Sequence, residues 1–254
     1  MSVLTSEAVV LRTWPVHEAD LIVSLFTRDY GRVRGVAKAA LKSRKRFGGA
    51  LEPMTLARAW FAERPRQELI RLDQLEIIRS PLLAPVDHTR MAVLSFYAEV
   101  IDEALPERDP QDAVFRLLVS VLEQTSAVQS EIIQPWMALT YFSLWMTRLM
   151  GLLPDIGHCI VCGEALALHA AEVSYGSNTD GLSCGLHRNG SASMLSADSW
   201  QLAQRMLKAP AAAFAREPWT RKRGQDLRRF TLQTLERHLE RKLKSAEALA
   251  RLGG

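Results

Sequence analysis

Cysteine is scarce in this chain, three among 254 residues. An odd count argues against a disulfide framework in a reducing compartment, so metal binding or catalysis is left for these thiols. Residues 1–13 lack the basic start, apolar core and small-residue cleavage site of an export signal. No uncharged apolar run approaches the roughly 18 residues that a membrane helix needs. A cytoplasmic protein with no membrane partner is therefore expected. Catalytic templates are also missing. There is no phosphate-cradling G-x4-G-K-[ST], no G-x-G-x-x-G opening a helix after a strand, no H-E-x-x-H and no G-x-S-x-G. Glu18 and Asp20 form a carboxylate pair in a turn, without partners that would divide acid from base roles. The one H-x-E, at His238 to Glu240, follows the cysteines instead of preceding them, which excludes the zinc deaminase pattern. A non-enzyme is expected, with a metal-dependent hydrolase or deaminase as the class to exclude by a nucleic-acid turnover screen.

What is present is an ordinary globular composition, 48% hydrophobic and 24% charged, without a low-complexity segment. From Leu4 to about Arg79 the apolar positions alternate or run in short blocks: SEAVVLRT, DLIVSLFT, RVRGVA, MTLARAWFA and ELIRLDQLEIIR. Turn material separates them, and five strands are predicted. Five short strands in about 80 residues suit a small closed barrel, of which the oligonucleotide-binding OB-fold is the common case. Ser80-Pro81 and Ala84-Pro85 then punctuate the chain, and the period changes to that of helices. The expected organisation is an α+β protein with an OB-fold domain at 1–80, a helical domain at 81–254, and a metal module embedded at about 151–190.

Beyond the boundary, HTRMAVLSFYAEVIDEAL, AVFRLLVSVLEQ and IIQPWMALTYFSLWMTRLMG carry apolar residues at helical spacing. Asp109-Pro110 predicts the start of the second helix, with the proline in its first turn. Between Trp136 and Met150 the apolar positions run nearly all round, as in a central buried helix. Ser196 is a candidate N-cap. The segment from Thr220 to Leu252 reads as one long amphipathic helix.

All three cysteines and His187 fall within 29 residues, in the order C-x2-C, 21 residues, C-x2-H. Each pair can form a tight knuckle presenting two ligands, and two knuckles close a tetrahedral zinc site. Cys159, Cys162, Cys184 and His187 are thus the expected ligands of one structural Zn2+ per chain. His158 and His169 compete for the fourth position. His158 is adjacent to Cys159 and would point away from a site its neighbour enters, whereas His187 repeats the spacing of the first pair. Gly163 and Gly185 suit the tight turns.

From Tyr30 to Leu51 there is no acidic residue, while Arg32, Arg34, Lys38, Lys42, Arg44, Lys45 and Arg46 contribute seven positive charges. A solvated face is the ordinary meaning of a charge run. On a barrel of this type, a run without compensating carboxylates points instead to phosphates. Tyr30, Phe47, Trp60 and Phe61 are candidate base-stacking residues, although Trp60 and Phe61 cannot both face outward on one strand. A second basic group, from Arg221 to Lys244, is interrupted by Asp226, Glu236 and Glu240, so helix-stabilising ion pairs compete with a DNA path.

Taken in order, A-V-V-L-R-T at 8–13, E-A-D at 18–20, L-F-T at 25–27, the Gly31 and Gly35 region, K-S-R at 42–44, L-E-P at 51–53 and G-L-L-P-D-I-G-H-C-I-V-C-G at 151–163 resemble the RecO family of DNA repair and recombination mediators. The resemblance spans most of the chain, and its specificity comes from the combination of short motifs. It implies a protein that binds single- and double-stranded DNA and anneals complementary strands. With RecR, such a protein helps RecA replace the single-strand binding protein SSB, whose C-terminal tail the helical domain binds. Association with the nucleoid follows from that role. His187 stands where many zinc-containing members have a fourth cysteine, a change that keeps zinc chemistry intact. Lys38, Lys42, Arg44, Lys45 and Arg46 match the family's basic segment after the third strand. A zinc-stabilised RNA-binding or ribosome-associated module, using the same barrel and basic segment, is the alternative.

Overall fold

The structure is a computed structural model that describes residues 3–63, 67–81, 87–126, 134–169, 173–176, 181–188, 190, 192–220 and 222–252. Ala84-Pro85 and Arg221 therefore lie outside the described residues. The chain forms two compact units, 1–130 and 131–254.

All five predicted strands form: β1 (Leu4–Pro15), β2 (Leu21–Thr27), β3 (Gly31–Ala37), β4 (Leu56–Ala62) and β5 (Ile70–Arg79). They close into a barrel in the order β1-β2-β3-β5-β4. Every pairing is antiparallel except β3 with β5. Closure removes the open edges that five short strands would otherwise expose. A register shift between Val10 and Arg12 bends the long β1, whose first half pairs β4 and whose second half pairs β2. Alternation along the strands sends Leu21, Val23, Leu25, Val33 and Ala37 into the barrel core, and the residues between them to the outer face.

The stretch between β3 and β4 is more than a loop. A 3-10 turn at Ala40–Lys42 is followed by a short helix, α1 (Arg44–Phe47). Ala40, Phe47 and Ala50 join the barrel core. Burying the Phe47 ring is worth roughly 1.5–3 kcal/mol. It anchors the basic segment at the end of the barrel.

Two helices complete the first unit, so its compactness extends past the change of period at 80–85. In α2 (His88–Ala104) the Asp87 side chain accepts from the Arg90 N–H, satisfying one of the orphan donors at the helix start. α3 (Asp112–Ser126) begins two residues after Pro110, so the proline precedes the helix instead of entering its first turn. Gln111 supplies the carbonyl that opens it.

These helices cover part of the barrel's outer face. The Asp102 carboxylate, near the end of α2, accepts from the Ser24 hydroxyl at 3.0 Å on β2 and from Arg32 at 3.0 Å on β3, and Arg12 of β1 lies 3.5 Å away. Arg32 also donates to the Leu105 carbonyl at 3.1 Å, and Glu107 holds Arg34 at 2.7 Å. Phe115 of α3 packs its ring 5.6 Å from that of Phe26 on β2. Gly31, at φ 65°, sits where a Cβ would meet the Asp109 backbone at 2.3 Å. Only glycine allows the chain leaving α2 to approach β3 this closely.

The second unit is built on α4 (Pro135–Leu149), buried over most of its circumference as its sequence predicts. α5 (Ala197–Met206) and α6 (Gln225–Leu239) pack against it, and α7 (Lys244–Arg251) follows in the chain. Ser196 caps α5, accepting from the Ser199 N–H. The long terminal helix expected from Thr220 onward is two helices. Glu240 takes the left-handed conformation at φ 53°, the Glu236 carboxylate accepts from the Leu243 N–H at 3.0 Å, and Leu243 is fully buried. Burial of that one leucine outweighs continuation of the helix.

Asp102→Ala is expected to destabilise the first unit by about 1–3 kcal/mol, because it removes the acceptor of the buried Ser24 hydroxyl and the closest carboxylate to the mostly buried Arg32. A urea titration followed by circular dichroism checks this; a midpoint within error of the parent would exclude the bridging role.

Candidate metal centre and nucleic-acid interface

The first knuckle follows α4. The Cys159 N–H donates to the Glu164 carbonyl at 2.8 Å, and the Gly163 N–H donates to the Cys159 carbonyl at 2.9 Å, folding C-I-V-C-G into a tight turn. Gly163 has φ 74° with nothing within 4 Å of a would-be Cβ, so glycine is favoured there by conformation and not by crowding. A short strand, β6 (Val173–Tyr175), leads toward the second knuckle and pairs with β7 (Ser193–Leu195) after it. A 3-10 turn at Gly185–His187 makes that knuckle, with the His187 N–H donating to the Cys184 carbonyl. The Ile160 N–H donates to the Leu182 carbonyl at 2.9 Å and so fastens one knuckle to the other.

Fold and hydrogen bonding thus bring the four predicted ligands together. One ligand atom from each of Cys159, Cys162, Cys184 and His187 lies within 4.8 Å of the others. The His187 Nδ1 is 3.3 Å from the Cys184 sulfur and 3.9 Å from that of Cys159. A tetrahedron with Zn–S bonds of 2.3 Å has edges of about 3.8 Å, so a metal ion fits this group. Cys159 and Cys184 are buried, while Cys162 is exposed.

The thiols are electrostatically prepared for a cation. Burial pushes the Cys159 thiol up, but N–H groups of Cys162, Cys184 and Val161 aimed at its sulfur outweigh it and bring the pKa down to about 6. At Cys162 the Glu164 N–H favours the thiolate, yet desolvation and the nearby Cys159 and Cys184 sulfurs win and raise it. Sulfurs this close resist sharing negative charge, and a dication removes that conflict. His158 stands apart, its Nδ1 2.8 Å from Asp155 Oδ2. The His169 side chain lies outside the described residues.

The seven cations of the basic run separate into two groups. Arg32 and Arg34, on β3, are held by Asp102 and Glu107. Arg46 is turned back on its own segment, donating to the Lys38 carbonyl at 2.6 Å and the Ser43 hydroxyl at 3.0 Å, with its guanidinium over the Phe47 ring. Lys38, Lys42, Arg44 and Lys45 are exposed, and none of them meets a carboxylate among the described residues. They form a cationic cap on the end of the barrel, raised on the Phe47 anchor.

Two of the expected stacking aromatics are internal. Phe47 and Phe61 are buried in the barrel core, and Tyr30 packs edge-on against Phe61 at 5.4 Å. Alternation on β4 resolves the Trp60 and Phe61 pair by sending Phe61 inward and leaving Trp60 partly exposed. Trp14, 38% exposed at the end of β1, escaped the sequence reading; its only signal was an aromatic residue next to turn residues. The Asp102 and Glu107 partners escaped it too, since the acid and base are about 70 positions apart.

A closed barrel of the oligonucleotide-binding type, followed by a helical unit carrying a Cys3His centre, defines the class of protein. The model of the recombination protein O N-terminal domain matches residues 1–81, and that of its C-terminal domain matches residues 85–247. The DNA repair protein RecO of Koribacter versatilis (strain Ellin345) is 51% identical over 247 residues, covering 97% of this chain and 98% of its own length. That of Anaeromyxobacter dehalogenans (strain 2CP-C) is 33% identical, covering 96% and 95%. That of Pelotomaculum thermopropionicum is 29% identical over 255 residues. The chain belongs to the RecO family of DNA repair and recombination proteins. Among the described residues no helix is long and apolar enough to cross a membrane.

Cys159→Ser is expected to lower metal content and to reduce the melting temperature by on the order of 10 °C, because a structural metal's binding energy is folding energy. Elemental analysis beside a thermal melt checks both. A fully metallated or equally stable variant would exclude Cys159 as a ligand.

Proposed function

We propose that this protein is a non-enzymatic mediator that binds single- and double-stranded DNA on the cationic cap of its barrel and anneals complementary strands. With RecR it helps RecA replace SSB on DNA, working in the cytoplasm in association with the nucleoid. The carrying observation is that Lys38, Lys42, Arg44 and Lys45 stand together without a carboxylate partner among the described residues, in a chain of a DNA repair family. The domains are those of the sequence pattern, 1–80 and 81–254, with the metal module at about 151–190.

Annealing asks little chemistry of the surface. Cations screen phosphate repulsion, and loose, sequence-independent contacts leave the strands free to search for register. No bond is made or broken by the protein, and no nucleotide cofactor is needed for that step. Of the seven cations, Lys38, Lys42, Arg44 and Lys45 are the direct contacts. Arg32 and Arg34 hold α2 on the barrel, and Arg46 shapes the cap while adding to its field.

The metal in the Cys3His group is Zn2+, one per chain. Three thiolates and an imidazole are a soft, closed donor set that leaves no position for water, so the ion is structural. For the acidic, apolar SSB tail, the second unit offers a groove of about 340 Å³ with Leu152, Leu153, Pro154 and Phe230 as apolar walls and Arg237 among its lining residues.

Changing Lys38, Lys42, Arg44 and Lys45 together to Ala is expected to weaken binding to a single-stranded oligonucleotide and to flatten the salt dependence by about 3 in log–log slope, at ~0.7 per lost phosphate contact. An unchanged slope would remove the cap from the DNA path. Annealing of SSB-coated complementary strands, with and without the protein, tests the mediator role. Competition between DNA and RNA of one sequence separates it from an RNA-binding module.

A further inference from the structure

The outer face of β1, β2 and β3 is organised in rows, because residues paired in register point to the same side of the sheet. One row runs Arg12, Ser24, Arg34 and the next runs Trp14, Ile22, Val36. Asp102 and Glu107 reach down onto the first of these, engaging Arg12, Ser24 and Arg34. Among the described residues no carboxylate contact reaches Trp14. Trp14 is 38% exposed, and Ile22 and Val36 are half-buried. Val36 also lines a groove of about 340 Å³ with Lys38, Leu69 and Arg71, which continues the row toward β5.

This row shares a frame with the cationic cap. The Leu41 N–H donates to the Ala19 carbonyl at 3.2 Å, and the Ala39 N–H donates to the Asp20 carboxylate at 2.7 Å, so the β1–β2 turn and the basic segment are fastened together. Within the turn the Val16 N–H donates to the Asp20 carbonyl at 3.1 Å. Val16 and Leu41 are exposed beside it.

We propose that Trp14, backed by Ile22 and Val36, is a stacking platform for an unpaired base, set so that the adjoining phosphates meet Lys38 and the rest of the cap. The occupant is a single strand of nucleic acid. An exposed indole on a strand whose turn is fastened to the cationic segment complements a polyanion whose bases are bare, whereas a duplex hides its base faces and offers only phosphates. The platform rests on the reading of the cap as a DNA-binding surface. It adds preference for single strands to a surface whose charge alone would hold either form.

The test measures affinity and salt dependence for an oligo(dT) strand and for a duplex of equal length. It uses the parent, Trp14→Ala, Trp14→Phe, Trp14→Leu and the variant with Lys38, Lys42, Arg44 and Lys45 changed to Ala. Trp14→Ala is expected to lose roughly 5- to 150-fold in single-strand affinity, the range for one stacked base. It should keep duplex affinity within about twofold and leave the salt slope unchanged, since no phosphate contact is lost. Trp14→Phe should retain most of the single-strand affinity, and Trp14→Leu should not, although it keeps an apolar side chain that supports the fold. If Trp14→Ala and Trp14→Leu bind single strands like the parent while the cap variant does not, the platform is overturned and the DNA-binding cap stands. Equal loss on both nucleic acids also overturns it. If the cap variant binds both like the parent, the underlying DNA reading falls.

Discussion

The carboxylate of Asp102 fastens α2 to three strands of the barrel at once, through Arg12, Ser24 and Arg32. Each of those groups alone would be costly to cover, because an ion or hydroxyl withdrawn from water must recover its hydrogen bonds inside the protein. Once they are paired, a helix can lie against the polar outside of a barrel whose apolar residues already face inward. The chain leaving α2 can then approach β3 closely, and Gly31 leaves the space it needs.

That docking also determines where positive charge remains available. Arg32 and Arg34 are paired with Asp102 and Glu107. What stays open is the end of the barrel, where the Phe47 anchor holds the cationic cap and where the Trp14 row reaches the surface. The same contacts that stabilise the unit thus neutralise two of the seven cations and leave Lys38, Lys42, Arg44 and Lys45 exposed on the cap.

The metal centre follows a different logic, because its parts are close in the chain. Each knuckle is a few residues of backbone folded on its own hydrogen bonds, and the bonds from Ile160 N–H to the Leu182 carbonyl and from Cys184 N–H to the Cys159 sulfur join the two. C-x2-C and C-x2-H spacing was therefore enough to name Cys159, Cys162, Cys184 and His187, and to set His158 aside. The barrel strands were legible for a similar reason, since alternation of apolar residues is a local consequence of the pleat. Helix continuity was not legible. Nothing near Glu240 in the sequence breaks a helix; the bend comes from the burial of Leu243, and burial depends on what the rest of the unit places around it.

The sequence by itself determined the five strands, the Cys3His group that could hold a metal and the sign of the charge between Tyr30 and Leu51. Periodicity, chelate spacing and composition act over a few residues and survive in any fold that forms. The tertiary structure alone decided which of seven cations keep their charge unpaired, that Phe47 and Phe61 are core while Trp14 faces water, and where the last helix stops. Ion pairing and burial are relations between groups some 70 residues apart, as between Arg32 and Asp102, and such relations exist only once the chain has closed on itself.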